Sequence, residues 1–306
     1  MDIHESIVSL KKRHNAVILA HNYQRSDVRH IADFVGDSLE LSIEASRTAA
    51  DVIVFCGVRF MAETAKILSP DKTVLLPAPD AGCPMADMIT AKDLTEMKQA
   101  HPGARVLCYV NTTAEVKALS DICCTSSNAA SIVEHELADV PEILFIPDKF
   151  LAQNTQTSTG RRFITWPGYC PTHARILPEH VFAAKTRHPD ARVMVHPECN
   201  PAVCAHADAV LSTGQMCTYA EKSDADAFIV GTEKEMCNRL AEMVPGKRFY
   251  PVSDAAVCPN MKKISLSTVY HSLNDTTRTI ELSGSIIARA RTAIDHMIAA
   301  STRSGS

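Results

Sequence analysis

Three cysteines in the chain are each followed by proline, Cys83-Pro84, Cys170-Pro171 and Cys258-Pro259, at intervals of 87 and 88 residues. A thiolate is both a nucleophile and a soft metal ligand, so thiols recurring at one interval suggest a metal centre if the fold brings them together. If the interval marks a repeat, other polar residues recur at it. His21, Tyr109 and His196 close short apolar runs at intervals of 88 and 87. Asp33, Asp121 and Asp208 keep the same register, and Ser38, Ser126 and Thr213 follow them by five residues. The aspartates read as helix caps or turn formers. The hydroxyls read as caps or, in "CTSSN" and "STGQM", as anion sites at helix starts. His14, His101 and His188 precede the apolar runs and read as turn residues at the opposite strand ends.

These residues must be positioned by elements, and each interval carries the same series of them. The first apolar runs are "AVILA", "RVLCYV" and "RVMVH"; the second are "DVIVFCG", "EILFIPD" and "AFIVGT"; the third are "TVLLP", "FITW" and "RFYPV". Short uncharged runs bounded by Gly, Pro and Asp are what strands buried on both faces of a parallel sheet look like. Stretches with apolar residues three and four apart, such as "FMAETAKIL" and "EKEMCNRLAEMV", read as the intervening helices. The fold class is α/β: three similar small parallel-sheet domains, 1–84, 85–171 and 172–306, in pseudo-threefold arrangement around a central site. The last carries a C-terminal helix, "SGSIIARARTAIDHMIAA", and "STRSGS" reads as a frayed tail.

At 306 residues the chain is long enough for more than one core. Its 46% apolar and 22% charged residues are those of a soluble globular protein. A net charge of −4 argues against nucleic acid as the main partner, since phosphate backbones are bound through excess Lys and Arg. The N-terminus lacks the apolar core of a signal peptide, and nothing approaches the ~20 apolar residues of a membrane span, so the expected location is cytoplasmic. There, the eleven cysteines are not expected to form disulfides. None makes a C-x-x-C pair, and Cys56, Cys108, Cys123, Cys124, Cys199, Cys204, Cys217 and Cys237 read as buried small residues.

Ligand sites in parallel α/β sheets lie at the carboxyl ends of the strands. With those ends turned inward, Cys83, Cys170 and Cys258 converge and match a [4Fe-4S] cube viewed along its diagonal, with three irons held and the fourth open. An open coordination position marks a catalytic centre, and such an iron can act as a Lewis acid. The alternative is a zinc ion held by the three cysteines and completed by His21 or His196.

The segments "ILAHNYQ", "IADFVGDSL", "GVRFMAETAKIL", "GCPMA", "YVNTTAEVKA", "CTSSNA", "HPEC", "STGQM" and "VCPNMKK" together resemble the quinolinate synthase family, from about Asn15 to Lys263. The resemblance implies three α/β domains around a [4Fe-4S] cluster with one open iron, held by Cys83, Cys170 and Cys258. It implies condensation of iminoaspartate (iminosuccinate) with dihydroxyacetone phosphate to quinolinate, phosphate and two waters, on the de novo route to NAD. Substrate-binding positions fall on His21, Ser38, Tyr109, Asn111, Ser126, His196, Glu198 and Thr213, and catalytic ones on Tyr23, Glu198, His21 and His196. Tyr23, Asn111 and Glu198 then form a further trio in the repeat register. Thr113 stands where Ser is common in the family. Cysteines that some members carry before the third ligand are missing, with Val252 and Ala255 in that stretch. The reading leaves open whether Arg59, Lys262 or Lys263 assists, and whether iminoaspartate arrives by diffusion or from an L-aspartate oxidase. The competing readings are a cluster-dependent hydro-lyase on another hydroxy acid and an iron–sulfur redox or oxygen sensor.

Overall fold

A computed structural model describes residues 2–304. It contains three four-stranded sheets, all parallel. The first holds β1 (Ala16–His21), β2 (Phe34–Gly36), β3 (Val52–Cys56) and β4 (Thr73–Leu75) in the order β2-β1-β3-β4. The second holds β5 (Arg105–Tyr109), β6 (Ile122–Cys124), β7 (Ile143–Ile146) and β8 (Ile164–Thr165) in the order β6-β5-β7-β8. The third holds β9 (Arg192–Val195), β10 (Ala209–Val210), β11 (Ala227–Gly231) and β12 (Arg248–Pro251) in the order β10-β9-β11-β12. Even the register repeats, with Leu19 opposite Phe34, Leu107 opposite Ile122 and Met194 opposite Ala209.

The apolar runs are continuous because both sheet faces are covered. In β3, Ile53 and Phe55 face the core that spans the three sheets, while Val52, Val54 and Cys56 face an outer layer with Ile7, Leu10, Val269 and Leu273. In β9, Met194 joins the shared core, and Val193 and Val195 pack outward against Val181 and Val203. Each fully buried Leu, Ile or Val stabilises the fold by about 1.5–3 kcal/mol relative to an exposed one.

Each unit has one strand more than the sequence suggests. The extra ones, β2, β6 and β10, are three residues or fewer, too short to display a period. They are held by the aspartate trio, which sits at the bend before each of them, as the turn-former reading expects and the helix-cap reading does not. The carboxylates of Asp33, Asp121 and Asp208 accept the backbone N–H groups of Ile18, Val106 and Val193 at 2.7, 2.7 and 2.6 Å. Each aspartate N–H returns to the carbonyl of that same residue. The trio thus fastens the edge strand to the neighbouring central strand. His14, His101 and His188 sit at the amino ends of β1, β5 and β9, as turn residues should.

The chain's end does not stay with the third sheet. The helix Leu266–Asp275 packs on the N-terminal helix Ile3–Arg13, and residues 278–280 pair antiparallel along the β4 edge. The last helix, Gly284–Ser304, covers β6 through Ala290, Ala293, Ile294 and Met297. It runs on through Ser304, so most of the expected frayed tail is helical; Gly305 and Ser306 lie outside the described residues. Among the described residues no helix is long and apolar enough to cross a membrane.

Candidate active site

The carboxyl ends of the strands surround a cavity of about 270 Å³. Every residue singled out above as ligand, binder or proton carrier lines it: Cys83, Cys170, Cys258, His21, Tyr23, Ser38, Tyr109, Asn111, Ser126, His196, Glu198 and Thr213. Their positions follow from the repeat. His21 and Tyr109 end β1 and β5, and His196 immediately follows β9. Ser38 and Thr213 are the first helical residues after β2 and β10; the caps before them are Asp37 and Ser212, whose side chains accept the exposed N–H groups. Ser126 lies in the turn before the helix Ala129–His135. The cysteines follow β4, β8 and β12, one from each sheet. The Cys170 loop runs so close to the end of β7 that a Cβ on Gly168 would lie 2.5 Å from the Pro147 carbonyl oxygen, which requires glycine there.

Glu198 is the hub. One carboxylate oxygen accepts from the Tyr109 hydroxyl at 2.5 Å and the Asn111 amide at 3.3 Å; the other meets His173 Nδ1 at 2.7 Å. His173 Nε2 lies 2.7 Å from the Thr232 hydroxyl, which in turn bonds the Tyr23 hydroxyl. An ionised carboxylate only accepts, so His173 Nδ1 donates to Glu198, and Nε2 and the hydroxyls of Thr232 and Tyr23 continue the chain. A chain of hydrogen bonds, Tyr23–Thr232–His173–Glu198, therefore joins the first repeat to the third, and Tyr109 and Asn111 tie its Glu198 end to the second. His196 stacks on His173 with ring centroids 4.8 Å apart and meets the Ser126 hydroxyl through Nε2 at 3.2 Å. The backbone N–H groups of Tyr23 and Glu198 each donate to Nδ1 of the histidine two residues earlier, at 3.2 and 3.3 Å.

Burial sets the charges. It pushes His21 and His196 down to about 3, against the opposing pull of Glu198, so both rings are neutral imidazoles near pH 7. It raises the Tyr23 and Tyr109 phenols well above their ordinary value, Glu198 adding to the effect. Glu198 itself is pushed up by burial, but the charge and hydrogen bond of His173, then His196 and Tyr109, outweigh this and hold it below the usual carboxylate range. The Cys83 thiol is pushed up to about 12, and Cys170 and Cys258 are also raised, again by burial first.

The donor set suits a metal. Ligand atoms of Cys170, His173 and Glu198 lie within 4.8 Å of one another. Backbone N–H groups are aimed at all three Cys-Pro sulfurs: those of Ala86 and Met85 at Cys83, of His173 at Cys170, and of Met261 and Asn260 at Cys258. Such bonds favour thiolate over thiol.

His173 and Thr232 were not singled out from sequence. The positions three after Cys83 and Cys258 are Ala86 and Met261, so a search for recurrence discards His173; the signal was its place within "GYCPTHA". Of the cations left open, Lys262 bonds Glu233 at 3.0 Å and the Tyr23 carbonyl at 2.5 Å. Lys263 pairs with Asp80 at 2.9 Å on the surface, and Arg59 lies 3.9 Å from Glu63. The arginine that does line the cavity is the exposed Arg175. Seven of the eight other cysteines are buried as expected, and Cys204 is half-buried.

A cavity at converging strand ends, with thiols, a low-pKa carboxylate and neutral imidazoles drawn from three repeats, defines the class: an α/β enzyme with a donor set able to hold a metal. Residues 5–299 match the family described as Quinolinate synthetase A protein. The chain is 53% identical to quinolinate synthase of Dehalococcoides mccartyi, with 97% of each chain covered. It is 51% identical to that of Methanoregula boonei, covering 97% of this chain and 98% of the relative. With quinolinate synthase 2 of Methanosarcina acetivorans it shares 48% over 98% of this chain and 96% of the relative. The chain belongs to the quinolinate synthetase A family.

Proposed function

We propose that the chain condenses iminoaspartate with dihydroxyacetone phosphate to quinolinate, phosphate and two waters, in NAD biosynthesis, at a [4Fe-4S] centre held by Cys83, Cys170 and Cys258. The observation that carries this reading is that one Cys-Pro thiol from each sheet lines the same cavity, each sulfur facing backbone N–H donors. Hydrogen bonds to the sulfurs are among the levers by which proteins tune iron–sulfur centres. With three protein ligands, the centre supplies when bound an open iron acting as a Lewis acid on a substrate oxygen or nitrogen.

The chain's own residues bind and move protons. The substrates carry two carboxylates and a phosphate, whereas the cavity offers mainly neutral groups: the hydroxyls of Ser38, Ser126 and Thr213 and the imidazoles of His21 and His196. Binding is therefore through preorganised dipoles. Loss of phosphate and of two waters requires groups that give and take protons. Tyr23 and Glu198, at the ends of one hydrogen-bonded chain, are placed to exchange a proton through Thr232 and His173. Tyr109 and Asn111 keep Glu198 oriented.

Purified anaerobically, the protein is expected to carry about four irons with matching sulfide, one cube per chain. The iron content should fall sharply in each of Cys83→Ser, Cys170→Ser and Cys258→Ser. Supplied with the two substrates it should form quinolinate; iron-loaded protein that forms none refutes the reading.

A further inference from the structure

Immediately after Tyr23, Asn111 and Glu198, the next residue's carbonyl is held by a side chain from five residues further on. Arg29 donates to the Gln24 carbonyl and Lys117 to that of Thr112, while the Cys204 thiol lies 3.7 Å from that of Cys199. Arg29, Lys117 and Cys204 stand 88 and 87 apart, in the register of the repeat. At each place a helix from the neighbouring unit completes the contact, always the one following that unit's third strand. From Glu235–Met243, Glu242 pairs with Arg29 at 2.7 Å. From Arg59–Leu68, Glu63 accepts the Ala114 N–H at 3.0 Å, and the Phe60 ring centroid lies 5.4 Å from Lys117 Nζ. From Lys149–Thr159 comes Asn154.

The third contact holds no cation and is built differently. Asn154 Nδ2 donates one hydrogen to the Pro197 carbonyl at 2.8 Å and the other to the Cys199 carbonyl at 3.0 Å. These carbonyls flank Glu198 on either side. The peptide entering Glu198 and the peptide leaving Cys199 are thus both anchored by one planar amide from another unit, which brackets the Glu198-Cys199 pair. The Glu198 and Cys199 N–H groups are taken up by His196, at Nδ1 and at its carbonyl, 3.3 and 2.9 Å away. We propose that Asn154 is a positioning residue for Glu198: it carries the docking of the middle unit on the third into the placement of the carboxylate. Resting on Glu198 as a proton carrier in the function above, the proposal adds a residue that touches no substrate. Chemical placement is sensitive at this scale, since a shift of about 1 Å can cost about 100-fold in rate.

The test uses the anaerobic holoprotein with Asn154→Ala and the near-isosteric Asn154→Asp, which keeps the volume but loses both donors. Hydrogen exchange should be at least about tenfold faster for the amides of Glu198 and Cys199 in both variants, as expected when two hydrogen bonds are lost. The strand Arg192–Val195 and the helix Lys149–Thr159 should keep their protection, which distinguishes a local brace from general destabilisation. The kcat for quinolinate should fall about 10- to 100-fold, with KM for dihydroxyacetone phosphate within about threefold. Adding Asn154→Ala to Glu198→Gln should cost no further rate, since the two act through one group. Unchanged exchange at residues 198 and 199 overturns the proposal whatever the turnover. Faster exchange with unchanged kcat, or additive losses in the double variant, overturns it as well. A wild-type protein that forms no quinolinate refutes the function proposed above, and the exchange result still decides for or against the brace.

Discussion

Glu198 occupies a site where burial alone would make a carboxyl neutral, yet it is held ionised by three donors. His173 contributes most, and the Tyr109 hydroxyl at 2.5 Å closes the opposite oxygen. Two consequences can be measured. Glu198→Gln preserves shape and removes the carboxylate that takes up and returns a proton, so the iron content of the proposed centre should stay at the wild-type level while turnover falls about 100-fold or more. Tyr109→Phe removes a bond that lowers the Glu198 pKa, so that pKa rises towards its ordinary value. The ionised form then exists only at higher pH, and the acid limb of kcat/KM should move upward; a limb that stays in place removes Glu198 as the group it reports. The exposed Arg175 lines the cavity, where it is available to the two carboxylates and the phosphate of the substrates proposed above. Arg175→Ala should raise KM with little change in kcat, because a charge in solvent attracts substrate and transition state alike.

At the scale of elements, the repeat was legible wherever the chemistry of the letters recurred. Cys-Pro, the aspartates, the hydroxyls and the strand-closing His/Tyr/His trio all showed in the sequence, and they brought out the three-unit plan and most of the cavity. Other features recur in geometry without recurring in letters. Arg29, Lys117 and Cys204 keep the register but share no side-chain chemistry, so only coordinates reveal their common carbonyl contact. His173 has no counterpart at all, and β2, β6 and β10 are too short for alternation to show. The aspartates recur plainly and stand at bends, one of the two readings they invite, but the clasp they make is not legible, because a strand-to-strand clasp, a turn and a helix cap use the same residue type. The clasp predicts a stability effect. Asp121→Ala leaves the Val106 N–H without its carboxylate partner and should lower stability by about 1–3 kcal/mol in chemical denaturation. Asp121→Asn, which keeps an acceptor oxygen, should cost less than half of that.

For the whole molecule, the site exists only while the three units stay docked, since the chain from Tyr23 to Glu198 spans the first and third and the second supplies Tyr109 and Asn111 to Glu198. The docking contacts run in a cycle: the third unit's helix on the first, the first on the second, the second on the third. The closing contact between the ends of the chain is the most strongly charged, with Arg29 gripped by Glu242 through Nε and Nη2 at 3.2 and 2.7 Å. Arg29 has a side chain only 1% exposed, so it cannot lose its partner cheaply. Breaking a buried pair costs about 3–5 kcal/mol, and Glu242, itself 29% exposed, places the Glu242→Gln variant at about 2–3 kcal/mol near neutral pH. The loss has a definite pH dependence. Burial raises the Glu242 pKa, but the Arg29 and Ser26 bonds outweigh it and leave it below the ordinary 4.5. A carboxylate with a depressed folded pKa contributes its stability above the unfolded value and loses it as pH falls through the folded one. The stability gap between wild type and Glu242→Gln should therefore be constant above about pH 5.5 and narrow steadily below 4.5, closing as Glu242 becomes protonated in both states. A gap independent of pH down to 3 would show that the variant acts through lost packing, and the charge would then not be what closes the cycle.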